Sequence, residues 1–349
     1  MTPSDQSSKA PAVSVVMAVY NGERFLRESV ESVLGERFRD FELVVLDDGS
    51  TDATPQILAE YAAADSRVRV HREPGDNLAQ ALNRCVAHCA ASLLARLDAD
   101  DVSIQGRLEE QVGFMDTHPE VVLLGGQAQL INDRGEAFGT AEYPTGDAEL
   151  REALRTTNPF VHSAIVMRRA AFDAVGGYRP NLTHSEDLDL WLRLGERGGL
   201  ANLSKPVVGY RMHDAQQSLQ KQRDQAVHSV ATRMAARARA AGEPDPLEGA
   251  TQIDEDFLLA HGVDRLEVSR GIVNSACWLG RTSGRAGYPE TERALFEAAY
   301  ERARSETGSP ALVAAVHRSA ARRHAEQGQR VRAKLKAAQA RLVERGARR

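Results

Sequence analysis

Apolar and polar positions fall into short alternating blocks along the first third of the chain. Val13-Ser14-Val15-Val16-Met17-Ala18-Val19 reads as a buried strand ending in the turn Tyr20-Asn21-Gly22. Leu26, Val30, Val33 and Leu34 then recur at i, i+4, i+7 and i+8, one face of an amphipathic helix. Phe41-Glu42-Leu43-Val44-Val45-Leu46 is a second strand, closing on the polar turn Asp47-Asp48-Gly49-Ser50-Thr51-Asp52. Pro55 suits the first turn of the next helix, whose apolar face is Ile57, Leu58 and Tyr61. Arg67 to His71 is a third strand. Leu78, Ala81, Leu82, Cys85, Val86 and Cys89 form a clean helical stripe, which leads into the strand Leu93-Leu94-Ala95. Strand and helix alternating at this pace predict right-handed crossovers and a mainly parallel sheet with flanking helices, an α/β fold. Ligands of such sheets bind beyond the carboxyl ends of the strands. Tyr20, the Asp47 to Asp52 turn and the run Arg96-Leu97-Asp98-Ala99-Asp100-Asp101 all fall at those ends.

The last run sets the chemistry. Three carboxylates in four positions repel one another and resist desolvation unless a cation, hydrogen-bond donors or a raised pKa relieves them. A divalent ion with oxygen ligands, shared with a diphosphate, would do so, and Mg or Mn suits that role. A solvated turn in which Asp101 caps a helix beginning near Ile104 is the other reading. Neither GxGxxG nor GxxxxGK[ST] follows the first strand, which argues against a dinucleotide-binding dehydrogenase or a P-loop enzyme.

From Asp224 onward the pattern changes to Ala-, Arg- and Glu-rich helices, broken at Gly242-Glu243-Pro244-Asp245-Pro246, at Gly287-Tyr288-Pro289 and at Gly308-Ser309-Pro310. The 349 residues thus divide into a disordered leader over 1–11, an α/β domain over 12–220 and a C-terminal α-helical region over 221–349. No apolar run reaches the roughly 18 to 20 residues that cross a bilayer, and Met1 to Lys9 lacks a signal-peptide core, so the expected compartment is the cytoplasm. Three cysteines give no disulfide framework; Cys85 and Cys89 read as core thiols. The formal charge of −5 hides an asymmetry: Arg318 to Arg349 holds eleven Lys or Arg against Glu326 and Glu344, while the preceding body is acidic. Val331, Leu335, Ala338 and Leu342 make a narrow apolar stripe in that basic terminal helix. Three readings of it stay open: packing on a second copy of the chain as a homodimer, weak contact with anionic lipid at the inner face of the membrane or with a phosphate-bearing acceptor, and a solvated terminus. Nucleic acid is not an expected partner, because the body is acidic and the tail has no interleaved aromatics.

Several ordered motifs carry a resemblance. Val15 to Gly22, Leu46 to Asp52, Arg96 to Asp101 followed by Arg107-Leu108, His162-Ser163 with Met167-Arg168-Arg169, Gly176-Gly177-Tyr178, Glu186-Asp187 with Leu190-Trp191-Leu192-Arg193, and Tyr210-Arg211-Met212-His213 with Ser218 resemble the family 2 glycosyltransferases of the GT-A fold. The likeness covers about residues 12 to 220. One departure is Gly75-Asp76-Asn77-Leu78, where the family commonly shows Asn-x-Gly-Leu.

The resemblance implies an inverting, metal-dependent transfer of a sugar from a nucleoside-diphosphate donor, UDP-linked, to an acceptor hydroxyl in polysaccharide or glycoconjugate synthesis, with a saccharide or a lipid-linked molecule as acceptor. In that reading Tyr20 stacks on the base and Asp48 accepts from its ring N–H. Asp98 goes to the ribose or to the metal, Asp100 to the metal, and His213 in some relatives completes the metal or diphosphate site. Arg96 and Arg211 fall on the donor side, with Arg211 and Ser218 toward phosphate, and His162 borders the acceptor pocket or is a turn residue. Asp187, with Glu186 beside it, is the base, both in a first helical turn where the helix dipole favours carboxylates. Asp189 can pair with Arg193 at i+4 and is structural. Two other functions stand beside this one: a non-catalytic nucleotide-sugar-binding or assembly subunit, and a sugar nucleotidyltransferase, against which the absence of a Gly-rich, Lys-containing loop after the first strand argues.

Overall fold

The structure, a computed structural model, describes residues 10–75, 77–213, 221–306, 309–326 and 330–346. The leader up to residue 9, Asp76 and Ser218 therefore lie outside the described residues. The chain divides into two compact units, one of residues up to Leu130 with Gly139–Arg211, the other of Ile131–Phe138 with Met212–Arg349. That division falls at Arg211/Met212 rather than at 220. It also moves the turn after the long strand Val121–Ile131 into the second unit, where Met212 N–H donates to the Ile131 carbonyl at 2.8 Å.

The first unit is built on one nine-stranded sheet. Its strands are β1 (Val13–Val19), β2 (Phe41–Asp47), β3 (Val68–Arg72), β4 (Leu93–Arg96), β5 (Val102–Ser103), β6 (Val121–Ile131), β7 (Ala137–Ala141), β8 (Val166–Arg168) and β9 (Gly199–Arg211), in the order β3-β2-β1-β4-β8-β6-β9-β5, with β7 paired to β6. β1 runs parallel to β2 and β4, with Val13 opposite both Phe41 and Leu93, and β2 runs parallel to β3. Beyond β4 the mainly parallel expectation is corrected. β8 is antiparallel to β4 and β6, and β5 is antiparallel to β9, so the sheet is mixed. The parallel half follows from helical crossovers, which the apolar periodicity announces. The antiparallel half is assembled from strands that are not neighbours in sequence, so no local pattern reports it.

Two apolar layers sandwich the sheet. Val13, Val15, Met17 and Val19 of β1 pack with α1 (Leu26–Leu34), α2 (Thr54–Ala64) and α4 (Arg107–Thr117) through Leu26, Val30, Ile57, Leu58, Leu108 and Met115. Val16 on the opposite side joins Val44 and Leu46 of β2 with α3 (Leu78–Ala87), α5 (Asp147–Leu154), α6 (Arg169–Ala174) and α7 (Glu186–Gly195) through Leu82, Cys85, Leu150, Phe172, Leu188 and Trp191. The period-two alternation of a strand sends successive side chains to the two layers, which is why β1 and β2 read as continuous apolar runs. Cys85, Cys89 and Cys277 are buried and free, with burial pushing all three thiols up.

The second unit holds α8 (Gln222–Ala240), α9 (Glu255–Ala260), α10 (Arg265–Ala286), α11 (Pro289–Glu301), α12 (Pro310–Glu326) and α13 (Arg330–Gly346). Val273, Ala276 and Leu279 of α10 meet Leu295 and Ala299 of α11 and Leu312 and Val316 of α12 in its core. Leu335, one of the terminal stripe, is 61% exposed. Among the described residues no helix is long and apolar enough to cross a membrane.

Candidate active site

Three polar loops stand at the carboxyl ends of β1, β2 and β4, and hydrogen bonds between the first two fix both. Asn21, with φ +51° in the left-handed region that short polar side chains tolerate, donates its N–H to Ser50 Oγ at 2.9 Å and accepts from Thr51 N–H at 2.8 Å. Gly22 N–H donates to Thr54 Oγ1 at 2.9 Å and Asp48 N–H to the Val19 carbonyl at 2.8 Å. A Cβ on Gly22 would lie 2.5 Å from Val19 Cγ2, so only glycine fits there. Asp47 and Asp52 are turn residues, Asp47 accepting from Ser50 N–H and Asp52 from Thr54 N–H, as their place in the turn suggests. Tyr20 and Asp48 differ in their surroundings. Tyr20 is 62% exposed, which excludes a core role, and the Asp48 carboxylate is held by Arg84 at 2.8 Å. In the departing loop before α3, Asn77 caps the helix, accepting from Gln80 N–H at 3.0 Å.

The third loop carries the acids. Asp98, Asp100 and Asp101 offer carboxylate oxygens that all lie within 4.8 Å of one another. Burial opposes charge on Asp98, but the guanidinium of Arg96 pairs with it and Ser163 Oγ donates to it at 2.8 Å, holding its carboxyl below the usual range. Asp101 is 1% exposed; burial and then the charges of Asp100 and Asp98 push its carboxyl well up. Its Oδ1 accepts from Arg211 N–H at 2.7 Å, while its Oδ2 is buried with no hydrogen-bond partner among the described residues. A crowded carboxylate set with an orphaned buried oxygen fits a hard divalent ion. Asp101 caps no helix: α4 begins at Arg107 behind Gly106, whose φ of +89° sets the turn.

Two arginines expected on the donor side are buried. Arg96 is 2% exposed and turned to Asp98 and to Ser163 Oγ at 3.0 Å, and the carboxylate raises its own proton affinity against burial. Arg211 is 1% exposed; its Nε donates to the Asp100 carbonyl at 2.7 Å and its Nη2 to Glu28 at 2.6 Å, with the guanidinium over the Phe25 ring. Both arginines position the acidic loop from beneath. Ser29 of α1 donates to the carbonyls of Asp98 and Asp101, and Arg107 to that of Arg96 at 2.7 Å. His213 belongs to the second unit and is 8% exposed.

On the other side of the site stands the N-terminus of α7. Ser185 before it has φ +58°, a conformation costly for a residue with a Cβ, and places Glu186 and Asp187 in the first turn. Burial, then the Asp187 charge, pushes Glu186 up to about 8. Burial raises Asp187 too, moderated by Leu188 N–H and by Asn158, whose Nδ2 donates to Asp187 Oδ2 at 2.7 Å. The charges of Arg96 and Asp98 act on both carboxyls, so the start of α7 and the acidic loop share one electrostatic environment. Asp189 pairs with Arg193 at 2.6 Å and is fully buried, the structural carboxylate of the set. His162 is half-buried: its Nε2 meets Tyr178 Oη at 2.8 Å and its ring stands edge-on to Trp191, with burial pushing its proton affinity well down.

Sequence reasoning missed the groups that orient the acids. Ser163 stood in a quoted motif without a role, and Asn158 read as a turn residue before Pro159, yet each holds a carboxylate. For Ser163 the available signal was a small polar side chain beside the apolar run Ala164 to Met167; Asn158, in a polar turn, gave none.

The chain resembles known proteins over this whole unit. Residues 14–176 match the model of the family described as Glycosyl transferase family 2. The glycosyltransferase relative EpsE of Bacillus subtilis is 35% identical over 221 residues, 62% of this chain and 74% of that one. The O-antigen biosynthesis glycosyltransferase WbnJ of Escherichia coli is 33% identical over 206 residues, 58% of this chain and 80% of that one. Two solved structures share the fold. TarS 1–349 of S. aureus, in complex with UDP-GlcNAc, has a TM-score of 0.54 at 17% identity over 96% of this chain and 91% of that one. The mannosyltransferase PcManGT of Pyrobaculum calidifontis, in complex with GDP-Man and Mn2+, has a TM-score of 0.53 at 16% identity over 96% and 87%.

Proposed function

We propose that this chain, which belongs to glycosyl transferase family 2 and is a glycosyltransferase, moves a sugar from a UDP-linked donor to an acceptor hydroxyl in one inverting, divalent-cation-dependent displacement. The observation that carries the reading is the gathering of Asp98, Asp100 and Asp101 at the end of β4, within electrostatic reach of the carboxyl pair Glu186 and Asp187.

Each group has a task its surroundings suit. Tyr20 offers an exposed ring for stacking on the base, and Asp48, oriented by Arg84, accepts from the ring N–H of uracil. Asp98 accepts from the ribose, and Asp100 with the orphaned oxygen of Asp101 holds Mg or Mn. The ion, when bound, offsets the negative charge that grows on the departing diphosphate. Asp187 takes the proton of the acceptor hydroxyl. That oxygen forms its bond to the anomeric carbon as the carbon–oxygen bond to the diphosphate breaks, and the electron pair leaves with the phosphate. Burial raises the proton affinity of Asp187, which makes it a stronger base than a surface carboxylate, and the Asn158 amide on Oδ2 with Leu188 N–H on Oδ1 orients it. Attack from the side opposite the leaving group inverts the anomeric centre.

The acceptor in this reading is a growing saccharide or its lipid-linked form, in polysaccharide synthesis at the cytoplasmic face of the membrane. The O-antigen role named for the E. coli relative and the Mn2+ held by the archaeal structure support acceptor class and metal, and the UDP-GlcNAc complex of TarS supports the nucleotide. A panel of nucleotide sugars with Mn, Mg or a chelator tests it. Cation-dependent sugar release from a UDP-sugar is expected, and Asp187→Asn should bind that donor with unchanged affinity and release no sugar. Turnover in the chelator, or full turnover by Asp187→Asn, overturns the reading.

A further inference from the structure

A second cluster of ligating side chains stands apart from the acidic loop. His71 is the penultimate residue of β3, Glu73 follows that strand, and His88 is the C-cap of α3. Each of the three offers a ligand atom, and those atoms lie within 4.8 Å of one another. The two imidazoles stack with centroids 3.6 Å apart and planes 4° from parallel, and His88 Nε2 is hydrogen-bonded to Glu73 Oε1 at 2.6 Å. His71 Nε2 is buried with no hydrogen-bond partner among the described residues. Burial, and then the neighbouring His88 and Arg69, lowers the proton affinity of His71, which leaves it in the neutral form that coordinates metal. An orphaned buried nitrogen has lost its water without gaining a hydrogen bond in return.

We propose that His71, Glu73 and His88 bind a divalent ion of the zinc type, distinct from the ion of the sugar-transfer site. Two imidazoles and one carboxylate make the nitrogen-rich set that Zn(II) favours, whereas the all-oxygen set on β4 favours Mg or Mn. Bonds of about 2.0–2.2 Å require the three ligand atoms to draw together around one point. Parallel rings share no such point, so the imidazoles must turn out of their stack as the ion enters. Both histidines sit at element ends and all three residues are half-buried, which gives room for the rotation, an entry path and a water as fourth ligand.

The ion would clip the edge strand β3 to the end of α3. It would also take up Glu73, whose Oε2 lies 3.9 Å from Arg84 Nε, the same arginine that holds Asp48. The site therefore borders the base-reading loop without belonging to it.

Calorimetric titration of the chelator-treated full chain with Zn2+ tests the proposal, with circular dichroism confirming that each variant is folded. One zinc-binding step is expected that persists in Asp100→Asn and weakens at least tenfold in His71→Ala. His88→Gln, at a helix end where a fold defect is least expected, should weaken it by a similar factor. Co2+ in place of zinc should give the visible absorption of a four- or five-coordinate site in the wild type and not in either histidine variant. Equal zinc affinity in the wild type and both histidine variants, no zinc step in the wild type, or a step lost only in Asp100→Asn would overturn it.

Discussion

At the scale of single residues, the site depends on carboxyl groups kept at different protonation states by their surroundings. Asp98 is held ionised by Arg96 and Ser163, while burial raises the proton affinity of Asp101 and Glu186. For Glu186 the folded value of about 8 lies above the 4.5 of an unperturbed glutamate. Between the two, the native state retains a proton that the unfolded chain has released, so the stability of the metal-free protein falls as pH rises from the lower value to the upper and levels off above it. Glu186→Gln should flatten that slope, which thermal melts across the range would reveal; an unchanged slope would remove Glu186 as its source. Asn158→Ala leaves Asp187 without its orienting amide, and we expect the turnover rate to drop about tenfold or more with donor affinity unchanged. Steady-state kinetics beside a donor titration separates the two, and an equal loss in both would make Asn158 a binding residue instead.

At the scale of elements, the parallel half of the sheet was legible because β1, β2 and β3 are each followed by a helix with an apolar stripe of period 3.6, as with Val30 and Val33 of α1 or Leu82 and Cys85 of α3. The antiparallel half was not, since β8 enters between β4 and β6 through pairings that no local pattern encodes. The positions of Tyr20, Asp48 and the acids were legible because they follow strand ends. The burial of Arg96 and Arg211 was not, because a guanidinium in a loop sequence looks the same whether it faces a ligand or a carboxylate beneath the loop. The turn after β1 also carries a prediction. Gly22→Ala drives a Cβ into Val19 on a buried strand, and overpacking of this kind costs about 1–3 kcal/mol. Chemical denaturation should show that loss, with reduced affinity for nucleotide as the Tyr20 loop shifts; a stability equal to wild type would mean the turn accommodates the methyl group.

At the scale of the whole molecule, two cores support two units: the sheet with its helical layers, and the cluster of α10, α11 and α12. Leu279→Ala in the second should cost about 2–5 kcal/mol and lower the melting of that unit, while leaving donor affinity intact. Calorimetry with a UDP titration checks both parts, and lost donor affinity would show that the helical unit shapes the donor site.

In the proposed mechanism the acids after β4 hold the donor's diphosphate through a divalent ion. Titration of UDP into the wild type and Asp100→Asn, each with Mn2+ and with a chelator, measures this most directly. At least a tenfold gain in UDP affinity is expected on adding Mn2+ to the wild type, with no gain in Asp100→Asn and equal affinities for the two proteins in the chelator. UDP affinity that is indifferent to Mn2+ in the wild type, or a gain that survives in Asp100→Asn, would contradict it.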